Sequence, residues 1–193
     1  MFELDLLFEN DIYKRLGLKT FLNKTTLAES WTDFAKNEYK LGNTDKARYY
    51  TNVGLKQFAD TSKEQDVYEV IDNYIATFPS RKEGITNIVS QKYNGTGAEY
   101  IMHLNCSEVL QGNEKAACFK TLYEKYPNSQ FSADALYNLF LTKYLQKKYY
   151  DAQRLGFLHL KKFPNAKSAP AVNYFMAKIA FKLKHYESAN VYF

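Results

Sequence analysis

Tyr126-Pro127-Asn128-Ser129 recurs 37 positions later as Phe163-Pro164-Asn165-Ala166, and this repeated stretch decides the fold. The same offset of 37 relates Tyr149-Tyr150-Asp151-Ala152 to Tyr186-Glu187-Ser188-Ala189. Two pairs of aromatic residues also keep it: Tyr137 with Tyr174, and Tyr144 with Phe181. Self-similarity at a fixed period of roughly 20–50 residues is typical of stacked repeat units. The sequence therefore predicts a repeat protein over this region.

The repeat units are predicted to be helical. The chain has only 4 Pro and 8 Gly in 193 residues, and this scarcity of turn-forming residues favours long helices. An aromatic residue precedes proline at Phe78-Pro79, Tyr126-Pro127 and Phe163-Pro164. Each such site ends a helix, because proline lacks an N–H and disfavours helical geometry in the residue before it. We expect Ala152 where two helices cross, and a separate amphipathic helix at residues 3–16.

These patterns predict an all-α fold, an array of antiparallel helical hairpins that forms an α-solenoid. Residues 1–97 are predicted to be an N-terminal helical region with one hairpin at 27–59 and an irregular segment at 60–97. Residues 98–193 are predicted to be repeats of about 37 residues, the last one incomplete. Only four residues follow Ala189. Because a repeat array needs a polar unit over its last apolar face, we expect the array to be truncated at its C-terminus.

The positive charge of the chain is concentrated in the repeats. The net charge is +5, and residues 126–193 contain 10 Lys or Arg against 3 Asp or Glu. Residues 1–97 contain 13 against 14. Such an excess of lysine is either a solvated face, as is usual for this residue, or a surface for an acidic partner or an anionic polymer. The solvated face is the simpler interpretation. Nucleic-acid binding is not favoured, since no recognition motif accompanies the lysines.

We find no motif for catalysis, a cofactor or a metal. The chain lacks a phosphate loop, HExxH and GxSxG. His103, His159 and His185 have no metal-ligand spacing and are expected to be surface or interface residues. Cys106 and Cys118 match no zinc pattern, and we expect two small buried apolar residues, with a disulfide as the alternative. No apolar run approaches the roughly 20 residues that span a bilayer.

The chain resembles the tetratricopeptide repeat family. The residues that carry the resemblance are Trp31-x-x-Phe34-Ala35 with Gly42 and Ala47, and Tyr149 with Ala152 and Pro164, followed by Tyr186 and Ala189. The motif Tyr-Pro-Asn-Ser followed by Ala-Asp-Ala-Leu-Tyr is similar to motifs in bacterial envelope members of the family. These members are the outer-membrane assembly lipoprotein, the Tol-Pal coordinator and the non-catalytic helical region of soluble lytic murein transglycosylases. The chain departs from the family at Phe140, a position usually small, at His159, usually alanine, and in its period of 37 rather than about 34.

The resemblance implies a ligand-binding concave face made by the first helix of each repeat. The residues that it places there are Tyr137, Leu141, Tyr144, Tyr174, Lys178 and Phe181. The alternative is that these side chains pack between repeats. The implied function is a non-catalytic protein-interaction scaffold without a cofactor. Its partner would be a protein or peptide, and its location the periplasm or cell envelope.

A second function is the accessory helical region of a peptidoglycan lytic transglycosylase whose catalytic domain lies outside this chain. Such an enzyme needs a positioned glutamic acid as general acid and base. Glu29-Ser30 and Glu187-Ser188 resemble the Glu-Ser dipeptide of that catalytic domain, but neither is followed by the rest of its motif. Peptidoglycan is the partner that this alternative implies. The residues after Phe193 in a longer protein would separate the two functions.

Overall fold

The computed structural model of the protein describes residues 24–59 and 64–187, with side chains from residue 30 onward. The described residues form nine helices and no strand, which confirms the all-α prediction for this part of the chain. The helix predicted at 3–16 lies outside the described residues, as does Ala189.

The chain divides into two compact units, residues 1–98 and 99–193. The described helices of unit 1 are α1 (Lys24–Lys40), α2 (Thr44–Phe58), α3 (Glu64–Ala76) and α4 (Arg81–Ser90). Those of unit 2 are α5 (Ala98–Leu104, starting at the boundary), a π-helical turn (Asn105–Val109), α6 (Gly112–Lys125), α7 (Ser132–Leu145), α8 (Tyr149–Lys162) and α9 (Ala169–Lys182).

Unit 1 packs each helix against the next one along the chain. The apolar face of α3 lies at the centre of unit 1, where Ile71 and Tyr74 are almost completely buried. Arg48 on α2 holds the end of α3, because its Nη2 donates to the Thr77 carbonyl at 2.8 Å and its guanidinium lies 4.0 Å from the centre of the Phe78 ring. The segment 60–97, predicted to be irregular as a repeat, contains the helices α3 and α4.

In unit 2 the period of the sequence is also a period of the backbone. α6 and α8 each contain 14 residues and begin 37 positions apart, and the same is true of α7 and α9. The turns that precede α7 and α9 share their hydrogen bonds: the N–H of Ser129 donates to Tyr126 at 3.1 Å, and that of Ala166 donates to Phe163 at 3.1 Å. Equivalent sequence thus gives equivalent local structure.

The helix-ending turns repeat as well. Gly42, Lys147 and Lys184 follow α1, α7 and α9 with φ of 79°, 60° and 63°. After α7, the Lys147 N–H donates to the Tyr144 carbonyl at 2.9 Å, and the Lys148 N–H to the Lys143 carbonyl at 3.0 Å. This pair of bonds is the Schellman arrangement, which satisfies the last carbonyl groups of a helix. Each turn leads directly into the next helix.

Phe140 is the centre of the core of unit 2, although the resembled family keeps this position small. It is fully buried on α7, in a cluster with Ala152, Val172, Met176 and Ile179. Its ring fits because the residue opposite it on α8 is a glycine. A Cβ on Gly156 would overlap the Met176 Sδ and lie 3.0 Å from the Phe140 Cε2. The large side chain on α7 is therefore accommodated by a residue without a side chain on α8.

The expectation of two unbonded cysteines is wrong, because Cys106 and Cys118 form a disulfide. The axes of paired helices usually lie about 8–10 Å apart, which is farther than the Cα separation that a disulfide spans. The π-helical turn that carries Cys106 packs directly on α6, and the two Cα atoms are 5.4 Å apart. This separation lies within the range of roughly 4.4–6.8 Å that a disulfide requires.

Gly156→Ala should lower the free energy of unfolding of unit 2 by about 1–3 kcal/mol, because overpacking a filled core costs this much. The better helix propensity of alanine offsets up to about 1 kcal/mol of the strain. We would measure chemical denaturation of Gly156→Ala, Met176→Ala and the double variant. Since Met176 is the side chain that the new methyl would overlap, the double variant should be more stable than the sum of the two single effects predicts. Additive effects would contradict this packing.

Reduction of the disulfide should destabilise unit 2. The disulfide closes a short loop, since its cysteines are 12 positions apart. Closing a loop of this size stabilises the folded protein by about 3 kcal/mol in the chain-entropy treatment. We would oxidise the protein with glutathione disulfide and compare its thermal unfolding with and without reductant. A Cys106→Ala/Cys118→Ala variant is the control, and its midpoint should not respond to reductant. Two free thiols in the oxidised, denatured protein would show that the bond does not form.

Candidate partner-binding groove

A surface groove lies where α7 and α9, the equivalent helices of successive repeats, contact each other. It has a volume of about 340 Å³, and we call it the α7–α9 groove. The residues that line it are Tyr144, Ala177, Lys178, Phe181 and Lys182. The turn residues Lys147 and Lys184 end the two helices. Tyr144 lines the groove from α7, and its equivalent 37 positions later, Phe181, lines it from α9.

The structure brings together three of the six residues predicted to bind a partner: Tyr144, Lys178 and Phe181. Tyr174 lies beside them, since the Lys178 Nζ is 4.4 Å from the centre of its ring. Phe181 is 61% exposed and Tyr174 is 48% exposed, so both rings offer apolar area to a partner.

Tyr137 and Leu141 do not line the groove. Tyr137 packs against the Phe140 cluster, with its ring centre 6.4 Å from that of Phe140 and 6.5 Å from that of His159. Leu141 is half-buried on α7. The alternative of packing between helices therefore describes Tyr137 better than a binding role.

Phe175 supports the groove and was not predicted. Its ring centre lies 4.9 Å from that of Tyr144, 5.4 Å from that of Tyr174 and 6.3 Å from that of Phe140. It connects the buried cluster to the surface aromatics. The repeat gives no signal for it, because the residue 37 positions earlier is the polar Asn138.

Lys178 is a cation with a defined position. Hydrogen bonding to Tyr174 raises the pKa of the Lys178 ammonium, and the nearby Tyr144 acts in the same direction. Its Nζ also lies over the Tyr174 ring, where the negative face of the ring attracts the cation. Lys178 therefore stays charged and stays at the edge of the groove.

The groove can bind through apolar contact and charge. Within residues 24–59 and 64–187, no cluster of His, Cys, Asp and Glu has the arrangement to hold a metal ion. None of the helices in these ranges is both long enough and apolar enough to cross a membrane.

The prediction that His159 is a surface or interface residue is wrong. It is fully buried on α8, its Nε2 lies 2.9 Å from the Ser168 hydroxyl, and its ring lies edge-on to Phe163. The hydroxyl gives Nε2 a hydrogen-bond partner, which lowers the cost of burying the imidazole, whereas the buried Nδ1 has no such partner among the described residues. His103 is half-buried and stacks on Phe131 with ring centres 4.5 Å apart, whereas His185 is exposed.

Comparison with known proteins adds no family. No protein-family model matches the chain, and no curated protein shows significant sequence similarity to it. The resemblance to tetratricopeptide repeats therefore stays a prediction.

Unit 2 should lose stability in mild acid. Burial lowers the pKa of His159, against the opposing effects of the Ala133 backbone and the Asp134 carboxylate. The unfolded chain therefore binds a proton at a higher pH than the folded chain does. The stability is complete above the unfolded pKa of about 6.5 and falls as the pH drops below it, by up to about 1.4 kcal/mol per pH unit. Burial also lowers the pKa of His103, which acts in the same direction.

We would measure denaturation at about pH 7.5 and about pH 5.5, on either side of the ordinary histidine pKa. His159→Leu should reduce the loss, and leucine suits the site because the equivalent residue 37 positions earlier, Leu122, is fully buried. His185→Gln, at an exposed position, is the control and should behave like the unchanged protein. Equal loss in His159→Leu and the unchanged protein would assign the effect to other groups.

Proposed function

We propose that this protein is a non-catalytic protein-interaction scaffold, built from antiparallel helical hairpins of the tetratricopeptide type. It would hold a peptide or a partner helix in the α7–α9 groove. The observation that carries the proposal is the pair of exposed aromatic side chains, Tyr174 and Phe181, beside a concave surface. Large aromatic residues are enriched among those that dominate the binding energy of interfaces.

The arrangement of the helices supports a hairpin array. In unit 2 each of α6 to α9 packs against the next, and α7 also contacts α9. Contact between equivalent helices of neighbouring repeats is what stacking of repeats requires. The helix lengths and turns recur with the period of 37. An array of this kind would present its first helices, here α7 and α9, on one surface.

The groove suits the docking of a helix or an extended peptide through side-chain anchors. Burial of apolar area contributes about 25 cal/mol per Å², so covering the Phe181 ring would contribute to affinity. Phe175 holds Tyr144 and Tyr174 from below. Because the walls are already ordered by these contacts, little side-chain entropy is lost when a partner binds.

The disulfide supports a location in an oxidising compartment. Disulfides persist in secreted and periplasmic proteins and are rare in the cytosol. Cys106 is fully buried in the bond, among Phe119, Leu122 and Ala135. We therefore infer a periplasmic or cell-envelope location, in agreement with the resemblance. The role as an accessory region of a peptidoglycan-cleaving enzyme stays a prediction, since no contact in the groove favours it.

Site-specific photo-crosslinking tests the scaffold function. A benzophenone amino acid would replace Phe181 in the full chain, expressed in the native host. The control is the same replacement at Phe157, which is 51% exposed on α8 and does not line the groove. We expect protein adducts at position 181 that are absent at position 157, and that decrease in a Tyr174→Ala background. Identical adducts at both positions, or none at position 181, would contradict the proposal.

A further inference from the structure

We propose that the α7–α9 groove receives an acidic segment in which a large apolar side chain is flanked by carboxylates. This inference rests on the proposed function and names the chemistry of its partner. The simpler interpretation of the lysines as a solvated face does not account for their position around an apolar groove.

The residues that line the groove carry charge of a single sign. Of the described residues, two lysines, Lys178 and Lys182, line it, and no Asp or Glu does. The acidic residues nearest in sequence are Asp151, whose carboxylate is 4.0 Å from the Arg154 guanidinium, and the exposed Glu187. A groove with no internal anion leaves its cations to be neutralised by a partner, and complementary charge fixes orientation and speeds association.

The lysines stand along one side of an apolar pair. Lys178 and Lys182 are four residues apart on α9, so they share one face of the helix, and both line the groove. Ala177 and Phe181 have the same spacing and form the neighbouring apolar stripe of the helix. An apolar side chain placed against Ala177 and Phe181 would have both cations along one side. Carboxylates one helical turn from that side chain, at a spacing of about three or four residues, would meet both lysines.

The contacts of the aromatic rings favour a peptide over a nucleic acid. Bases bind proteins by stacking on free aromatic faces. The Tyr174 ring has the Lys178 Nζ 4.4 Å from its centre, and the Tyr144 ring packs against Phe175 and Tyr149. The Phe181 ring, which is exposed, lies edge-on to Tyr186 with ring centres 5.5 Å apart. An anionic membrane would be expected to meet a protruding apolar surface, whereas these residues surround a concavity.

Peptide selection on the full chain tests the proposal directly. Random peptides of about 15 residues, long enough for four helical turns, would be displayed and selected for binding to the immobilised protein. Binders would then be measured against three variants: Phe181→Ser, Lys178→Glu/Lys182→Glu, and Lys161→Glu/Lys162→Glu. The last pair lies exposed on α8 outside the groove, and it changes the net charge by the same amount. Circular dichroism would verify that each variant is folded.

We expect selected peptides to carry Asp or Glu three or four positions from Leu, Phe or Trp. Charge reversal in the groove should weaken them by at least about tenfold, and the control pair should weaken them by less than about threefold. Added salt should weaken binding as well, because the contacts are partly exposed. Equal losses in the two lysine pairs would show a non-specific charge effect and overturn the proposal.

Two further outcomes distinguish the inference from the scaffold function. Neutral or basic binders that are lost in Phe181→Ser would overturn the acidic partner and leave the scaffold intact. No binder that responds to Phe181→Ser would overturn both. Vesicles containing phosphatidylglycerol and single-stranded RNA would be measured in parallel. If either binds through Lys178 and Lys182 while no acidic peptide is selected, the occupant is a membrane or a nucleic acid and the proposal is wrong.

Discussion

The packing of Phe140 against Gly156 is the contact on which the crossing of α7, α8 and α9 depends. A fully buried phenylalanine on α7 needs space on α8, and the missing side chain of Gly156 supplies it. Met176 on α9 closes the same cluster, so one crossing fixes three helices relative to each other. The α7–α9 groove is the outer edge of this packing, because Phe175 connects the Phe140 ring to the Tyr144 ring at its rim.

The order of the groove follows from its core. Tyr144 and Tyr174 both contact Phe175, and Lys178 lies over Tyr174. A lysine on a free helix surface loses up to about 2 kcal/mol of side-chain entropy when it is held in one place. Here the tyrosine restrains it before any partner arrives. Charge and apolar area are thus presented together, and the exposed Phe181 is the part of the surface that gains most from being covered.

The repeat predicted the helices well and the individual side chains less well. A period of 37 is enough to locate the ends of α6 to α9, because proline and the left-handed turns act locally. The resemblance to tetratricopeptide repeats, and not the period, indicated Tyr144, Lys178 and Phe181, which line the groove. The period did not predict features that depend on contacts between residues far apart in the sequence. Phe175 has no counterpart in the period, His159 is buried through a hydrogen bond to Ser168 that lies in another segment, and no spacing rule gives the 5.4 Å between the Cα atoms of the two cysteines.

The disulfide is explained by the same crossing one repeat earlier. The residues that correspond to Phe140 and Gly156 there are His103 and Phe119, whose ring centres are 6.4 Å apart. With two rings at the crossing, neither helix supplies the space that glycine does. α7 continues as a regular helix to Leu145, whereas its counterpart α5 ends at Leu104 and passes into a π-helical turn. A disulfide joins this turn to α6, and Cys106 lies in the buried cluster of Phe119, Leu122 and Ala135, so a covalent bond and apolar packing hold the turn on the helix together.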